Sequence, residues 1–200
     1  MRYHPPVSGK LVLIMGPSGV GKSVILKRLR AKHLEFHFPR SATTRPQRTR
    51  EGAELYHFLS DTEFDNLILE KKVLEYATVH GGSRYGTLVE EIIPAIKQGK
   101  TVIREVDVQG FENIRKNDLF SGKNAKYRLQ SIFILPESKE QLIGHIQKRA
   151  PMEQDELKRR LESMEKELSY ADACDATVQN LEGNMEQTIQ KVEEIIASES

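Results

Sequence analysis

The sequence predicts an α/β protein whose core is a parallel sheet covered by helices on both faces. Short apolar segments of strand length alternate with segments of helical period along most of the 200 residues, and parallel strands need such helical crossovers. The second observation is Leu11-Val12-Leu13-Ile14-Met15 followed at once by Gly16-Pro17-Ser18-Gly19-Val20-Gly21-Lys22-Ser23. The apolar run reads as a buried strand, and G-x-x-x-x-G-K-S behind it reads as a phosphate-binding loop. Its glycines let successive N–H groups turn inward, Lys22 supplies a mobile cation, and Ser23 offers a hydroxyl to magnesium. This pattern arises by chance in roughly one chain in a hundred of this length, so its position between strand and helix is informative.

Beyond the loop, Val24-Ile25-Leu26 begins a helix with Leu26 and Leu29 on one face, ending near His33. Pro39 to Gly52 is arginine-rich and too charged to be core. Tyr56-His57-Phe58-Leu59 reads as a short strand, and Ser60 with Glu63 forms a capping box that opens a helix through about Leu69. Val73 to His80 alternates like a strand and stops at Gly81-Gly82-Ser83. A second capping box, Thr87 with Glu90, starts a helix that Gly99 ends, and Thr101-Val102-Ile103 returns to strand. Val108 to Lys116 reads as helix, Asn117 to Tyr127 as a polar loop, Gln130 to Leu135 as strand and Ser138 to Arg149 as helix. Met152 to Tyr170 is a charged helix, Thr177-Val178 a short strand, and Met185 to Ala197 a closing helix with Ile189, Val192, Ile195 and Ile196 inward.

Composition narrows the class. Two hundred residues, 38% hydrophobic and 30% charged with a net charge of +1, fit one soluble globular domain that buries roughly 70% of its unfolded surface. The balanced charge gives no reason to expect nucleic acid, so any anion site must be a local concentration of Arg and Lys. The single cysteine, Cys174, forms no internal disulfide and has no evident base beside it, so it is expected to be inert in a reducing compartment. No segment has the length of a signal peptide core or of a membrane span, and the expected location is the cytoplasm.

A phosphoryl donor site calls for a gripped acceptor. Ser41-Ala42-Thr43-Thr44-Arg45-Pro46-Gln47-Arg48 places two guanidinium groups three residues apart on a Pro-stiffened loop, suited to fork onto phosphate oxygens. Glu75 lies in the apolar run Val73-Leu74-Glu75-Tyr76-Ala77, and a carboxylate there needs donors to justify its desolvation. Ser41 to Arg45, Tyr56-His57-Phe58, Glu75 to Gly81, Tyr85-Gly86-Thr87 and Val106-Asp107-Val108-Gln109-Gly110, in this order behind the phosphate loop, resemble the guanylate kinase family. The resemblance covers about Lys10 to Ala197 and is dense from Gly16 to Gly110.

The resemblance implies a P-loop NTPase-type core and an enzyme that moves the terminal phosphoryl of ATP onto GMP with magnesium. Implied boundaries are an N-terminal tail at 1–9 and a single domain at 10–200. Its core takes in 10–36, 91–137 and 166–200, with a small GMP-binding subdomain at about 37–90 and a helical lid at about 138–165. Carried over by position, Arg45 and Arg48 hold the GMP phosphate with Tyr56 and Tyr85 donating hydroxyls, and Ser41, Glu75, Thr87 and Asp107 surround the base. A carboxylate at Glu75 would accept from guanine N1–H and the 2-amino group, an edge adenine lacks, while Thr87 would donate to O6. Ser23 and Glu105 face magnesium, Asn180 lies near the adenine, and Arg149 and Arg160 close over the ATP phosphates. His80 is expected to be structural. The chain departs from the family at Glu105, where Asp is usual, at Arg104, where an apolar residue is usual, at His145, where Arg is usual, and at Ala150-Pro151. Two rival readings are a guanylate-kinase-like protein-interaction module, opposed by the intact Lys22 and Ser23, and a same-fold kinase acting on another small phosphorylated acceptor, opposed by Ser41, Glu75 and Thr87.

Overall fold

The computed structural model describes residues 9–49, 51, 54–79, 81–149 and 154–198, the side chains of 145–149 and 154–156 excepted. Among the described residues, eight strands and their helices run in the order β1 (Lys10–Met15), α1 (Lys22–Lys32), β2 (Ser41–Thr43), β3 (Tyr56–Phe58), α2 (Asp61–Leu69), β4 (Val73–Thr78), β5 (Arg84–Leu88), α3 (Val89–Lys97), β6 (Thr101–Glu105), α4 (Val108–Lys116), β7 (Arg128–Pro136), α5 (Lys139–Arg149), α6 (Gln154–Leu168), β8 (Ala176–Asn180) and α7 (Met185–Ala197). They build two four-stranded sheets, a parallel one of order β6-β1-β7-β8 and a mixed one of order β3-β2-β5-β4. The α/β class is as the sequence predicts.

Two compact units are formed. One holds Glu35–Arg104, Gln109–Leu129 and the start of β1 to Leu11; the other holds Val12–Leu34, Glu105–Val108 and the chain from Gln130 onward. In the latter, Val12 to Met15 are buried along the whole strand, as a strand covered on both faces requires. Ile25 and Leu29 of α1 are buried, and α1 and β8 both pack on α7, whose Ile189, Val192 and Ile196 are buried. The inward face of α1 is thus set by Ile25 with Leu29, and Leu26 is only half-buried.

The mixed sheet organises the other unit. β2 runs parallel to β3 and antiparallel to β5, and β5 runs antiparallel to β4. Because directly opposed residues share a face, the register puts Tyr56, Ser41, Thr87 and Glu75 in one row across all four strands. Tyr85, two residues from Thr87, lies on that same face. The opposite face carries Ala42 and Leu88, which are buried against Phe64 of α2. α2 starts as expected: Ser60 Oγ accepts from Glu63 N at 3.2 Å while Glu63 Oε2 accepts from Ser60 N at 2.7 Å.

Several expectations are corrected here. Ala42 and Thr43 are fully buried in a strand inside the arginine-rich stretch, because three residues suffice for a central strand while the charges sit on its flanks. The Thr87–Glu90 capping box does not form: strand β5 continues through Leu88, the helix N-cap, which has no side-chain cap bond, and the buried Thr87 hydroxyl turns to Glu75 instead. β4 ends at Thr78, Gly81 and Gly82 turn with φ of 90° and 81°, and β5 follows, unassigned from sequence; His80 lies outside the described residues. The charged helix ends at Leu168, and Ala171–Ala173 form a separate 3₁₀ turn. Phe120 in the supposed polar loop is buried and packs at 6.2 Å from the Tyr127 ring.

Candidate active site

The phosphate loop lies between β1 and α1 and needs glycine at two places. At Gly16, φ is +141° and a Cβ would stand 2.5 Å from Ile134 O; at Gly21, φ is +99° and a Cβ would stand 2.7 Å from Asn180 Nδ2. Left-handed Gly21 caps α1, its carbonyl accepting from Val24 N and Ile25 N at 3.0 and 3.1 Å. The first turn of α1 carries no acidic side chain, so its N-terminal field remains suited to anions. Ser18, Gly19, Val20, Gly21, Lys22, Ser23, Glu105 and Asn180 line one pocket of roughly 450 Å³. Lys22 Nζ donates to Gly16 O at 2.7 Å and Pro17 O at 3.1 Å and stands 3.7 Å from Glu105 Oε1.

Asn180 reaches this pocket from the end of β8 and braces the loop. Its Nδ2 donates to Val20 O at 2.8 Å, and its Oδ1 accepts from Thr188 Oγ1 at 3.1 Å. Ser18 N donates to Glu167 Oε2 of α6 at 3.1 Å. Arg160 is exposed on α6 and does not line the pocket, and the side chains of His145 and Arg149, with Ala150 and Pro151, lie outside the described residues.

A second group of expected residues meets on the mixed sheet. Arg45 Nε donates to Tyr85 Oη at 3.0 Å, its guanidinium carbon sits 5.4 Å from the Tyr56 ring centre, and the two tyrosine rings meet edge-on at 6.0 Å. The partner missed from sequence is Glu51, which accepts from Arg45 Nη1 and Nη2 at 2.9 and 2.7 Å and from Arg48 N at 3.0 Å. The Arg45 bonds and the Arg48 N–H hold the Glu51 carboxyl down at about 2, and Glu51 in turn raises the Arg45 guanidinium. An acid six residues after Arg45 in a basic loop was the available signal. The Arg48 side chain is exposed on the same loop.

The third group is the row that crosses the mixed sheet. Glu75 is 8% exposed and accepts a hydrogen bond from Thr87 Oγ1. Arg104 Nη1 donates to Ser41 Oγ at 2.7 Å, with Nη2 3.9 Å from Glu75 Oε1; the sequence marked Arg104 only as a departure. Asp107 is exposed between β6 and α4 and belongs to the unit that holds the phosphate loop, while Ser41, Thr87 and Glu75 belong to the other.

A hydroxyl at Ser23 and a carboxylate at Glu105 in one pocket are hard oxygen donors that fit magnesium, which is commonly held by one or two protein groups plus substrate phosphates. Among the described residues no helix is long and apolar enough to cross a membrane.

Comparisons with known proteins point to one family. The sequence profile of the guanylate kinase family matches residues 8–199. A guanylate kinase of Nostoc sp. is 35% identical over 189 residues, 94% of this chain and 89% of that protein. The Thermosynechococcus vestitus guanylate kinase is 38% identical over 90% of each chain, and the Porphyromonas gingivalis one is 39% identical over 83% of this chain and 86% of its own. In fold, the crystal structure of guanylate kinase from Anaplasma phagocytophilum aligns with a TM-score of 0.66 at 22% identity, covering 95% of this chain and 85% of that one. With the phosphate loop built on β1 and a buried carboxylate in line with Ser41, Thr87 and Tyr56, the chain belongs to the guanylate kinase family.

Proposed function

We infer that this chain acts as its family does: it is an ATP:GMP phosphotransferase, making ADP and GDP. The observation that carries the choice of acceptor is Glu75, a carboxylate 8% exposed in a row with Ser41 and Thr87. A phosphate loop serves any nucleotide, whereas a buried acceptor at this place suits a base that offers two donors on one edge.

Placement supports a role for each residue. Lys22 and the N–H groups of the loop hold the donor phosphates and stabilise the charge that spreads over the transferring group. Arg45, with Tyr56, Tyr85 and Arg48, grips the acceptor phosphate; Glu51 keeps the Arg45 fork aimed. An oxygen of that phosphate attacks the γ-phosphorus, and the bond to the β–γ bridging oxygen breaks with its electron pair leaving on ADP. The attacking oxygen is already ionised, so no side chain has to take a proton. Ser23 and Glu105 would hold magnesium, which neutralises the β- and γ-oxygens when bound. Arg149, Arg160 and the helical segment 138–165 are the lid in this reading, and Asn180 borders the adenine. ATP and GMP meet in the cytoplasm, the proposed location.

A coupled assay of ADP release against a panel of nucleoside monophosphates tests the reading. GMP is expected to support turnover at a kcat/KM at least a hundredfold above AMP, CMP and UMP, a discrimination that buried hydrogen-bonding groups can supply. Equal turnover of all four, or none, would contradict it.

A further inference from the structure

Arg104 occupies the fourth position of β6, directly after buried Val102 and Ile103, and its side chain is 14% exposed. A guanidinium in such a place must be held by acceptors. Its Nη1 donates to Ser41 Oγ at 2.7 Å, and Nη2 stands 3.9 Å from Glu75 Oε1, the same oxygen that accepts from Thr87 Oγ1. Two donor-bearing groups therefore flank one side of the Glu75 carboxylate.

Guanine chemistry gives that asymmetry a direction. N1–H lies between the 2-amino group and the O6 carbonyl, so a base pairing its N1 and N2 donors with a carboxylate places O6 beside one carboxylate oxygen only. With O6 on the Oε1 side, it meets donors; turned over, the 2-amino group would face Thr87 and Arg104, donor against donor. Thr87 has a single hydroxyl proton and gives it to Glu75. The guanidinium has five N–H donors in a fixed fork, the group that pairs with guanine O6 and N7 in nucleic acid recognition.

We propose that Arg104 is a second base-reading residue, donating to O6 and N7 of the guanine whose N1–H and 2-amino edge Glu75 accepts. The proposal rests on GMP as the acceptor. It makes the site doubly hostile to adenine, whose 6-amino group would oppose the guanidinium. It also leaves hypoxanthine, which keeps O6 and N7 and lacks only the 2-amino group, partly readable.

The test measures kcat/KM for GMP and for IMP in the whole protein and in Arg104→Leu, with the KM for ATP and the thermal midpoint recorded alongside. Arg104→Leu is expected to lower kcat/KM about 10- to 100-fold for GMP and by the same factor for IMP, with the KM for ATP within twofold. A residue that merely positions Glu75 would instead cost GMP more than IMP, because GMP uses Glu75 twice and IMP once; that outcome overturns the proposal, as does an effect below twofold on both. If the leucine variant does not fold, Arg104→Gln, which keeps one donor amide, is expected to show a smaller loss, again equal for the two substrates, and an unequal one counts against the proposal. Wild-type turnover of GMP with no effect at Arg104 sinks this proposal alone, whereas no wild-type turnover of GMP sinks the kinase reading and the proposal together.

Discussion

A carboxylate as buried as Glu75 must be met by donors, and the protein provides Thr87 and the nearby Arg104 on one side of it. Replacing it by an amide keeps size and shape and presents a donor where guanine also presents one. Glu75→Gln is therefore expected to lower the GMP/AMP ratio of kcat/KM by roughly 2–4 kcal/mol, on the order of thirtyfold or more, with the fold retained. An unaltered ratio in the same coupled assay would remove Glu75 from the base pocket. In the proposed function, Glu51 acts on the acceptor phosphate through Arg45, which it holds by two hydrogen bonds. Its carboxyl sits at about 2 against an ordinary 4.5, so the Arg45–Glu51 pair is complete above pH 4.5 and is lost as the pH falls toward 2. Carbon-detected titration of the Glu51 carboxyl should show its midpoint near the low end of that window. Glu51→Gln should raise the KM for GMP about three- to tenfold, since the pair is partly solvated, and leave the KM for ATP unchanged. Glu51 was hard to read from sequence because its worth lies in a bidentate geometry that only the folded loop creates.

Elements fix which side chains can meet. The row Tyr56, Ser41, Thr87, Glu75 exists because β2 and β5 fill the middle of the mixed sheet, and those two strands were the ones left unassigned from sequence. A three-residue strand such as Ser41–Thr43 gives one and a half alternations, too few for periodicity, and Arg84 to Leu88 follows a glycine pair that reads as an end. Other elements are legible for physical reasons: burial of one face imposes a helical period on α4 and α7, and burial of both faces makes β1 a continuous apolar run. At the start of α3, Glu91 ties the unit together: it accepts from Arg40 N at 3.1 Å, Arg40 Nη2 at 3.0 Å and His57 Nε2 at 2.6 Å, with His37 Nε2 3.9 Å away. Burial would push its carboxyl up, but the bonds from His57 and Arg40 outweigh this and leave it below the ordinary value. A depressed carboxyl stabilises the fold above pH 4.5 and ceases to do so in more acid solution. Glu91→Gln should thus cost roughly 1–3 kcal/mol at pH 7 and flatten the acid limb of the stability curve measured by denaturant titration. In the phosphate loop, Gly21→Ala should abolish turnover by forcing a Cβ to 2.7 Å from Asn180 Nδ2 at a left-handed φ. Turnover within twofold of wild type would show that the loop tolerates the shift.

Over the whole molecule, the proposed donor and acceptor sites are built by different means, which sets how legible each is in the sequence. The donor site is local in sequence: eight consecutive residues, Gly16 to Ser23, form its loop, and all but Gly16 and Pro17 line its pocket. The residues proposed for the acceptor lie apart in sequence, from Ser41 to Thr87, and are recognised through resemblance block by block, while the face shared by Tyr56, Ser41, Thr87 and Glu75 follows from the sheet register and the approach of Arg104 from its bond to Ser41 Oγ. Both sites must work for the chain to be a kinase rather than a module that merely binds a nucleotide. Lys22, held on Gly16 O and Pro17 O beside Glu105, belongs wholly to the donor side. The most direct test is therefore to measure kcat and the dissociation constant for GMP together in wild type and Lys22→Met. The expected result is a fall in kcat on the order of a thousandfold with GMP affinity within twofold of wild type, whereas an unchanged kcat, or a wild type that binds GMP without phosphorylating it, would contradict the account.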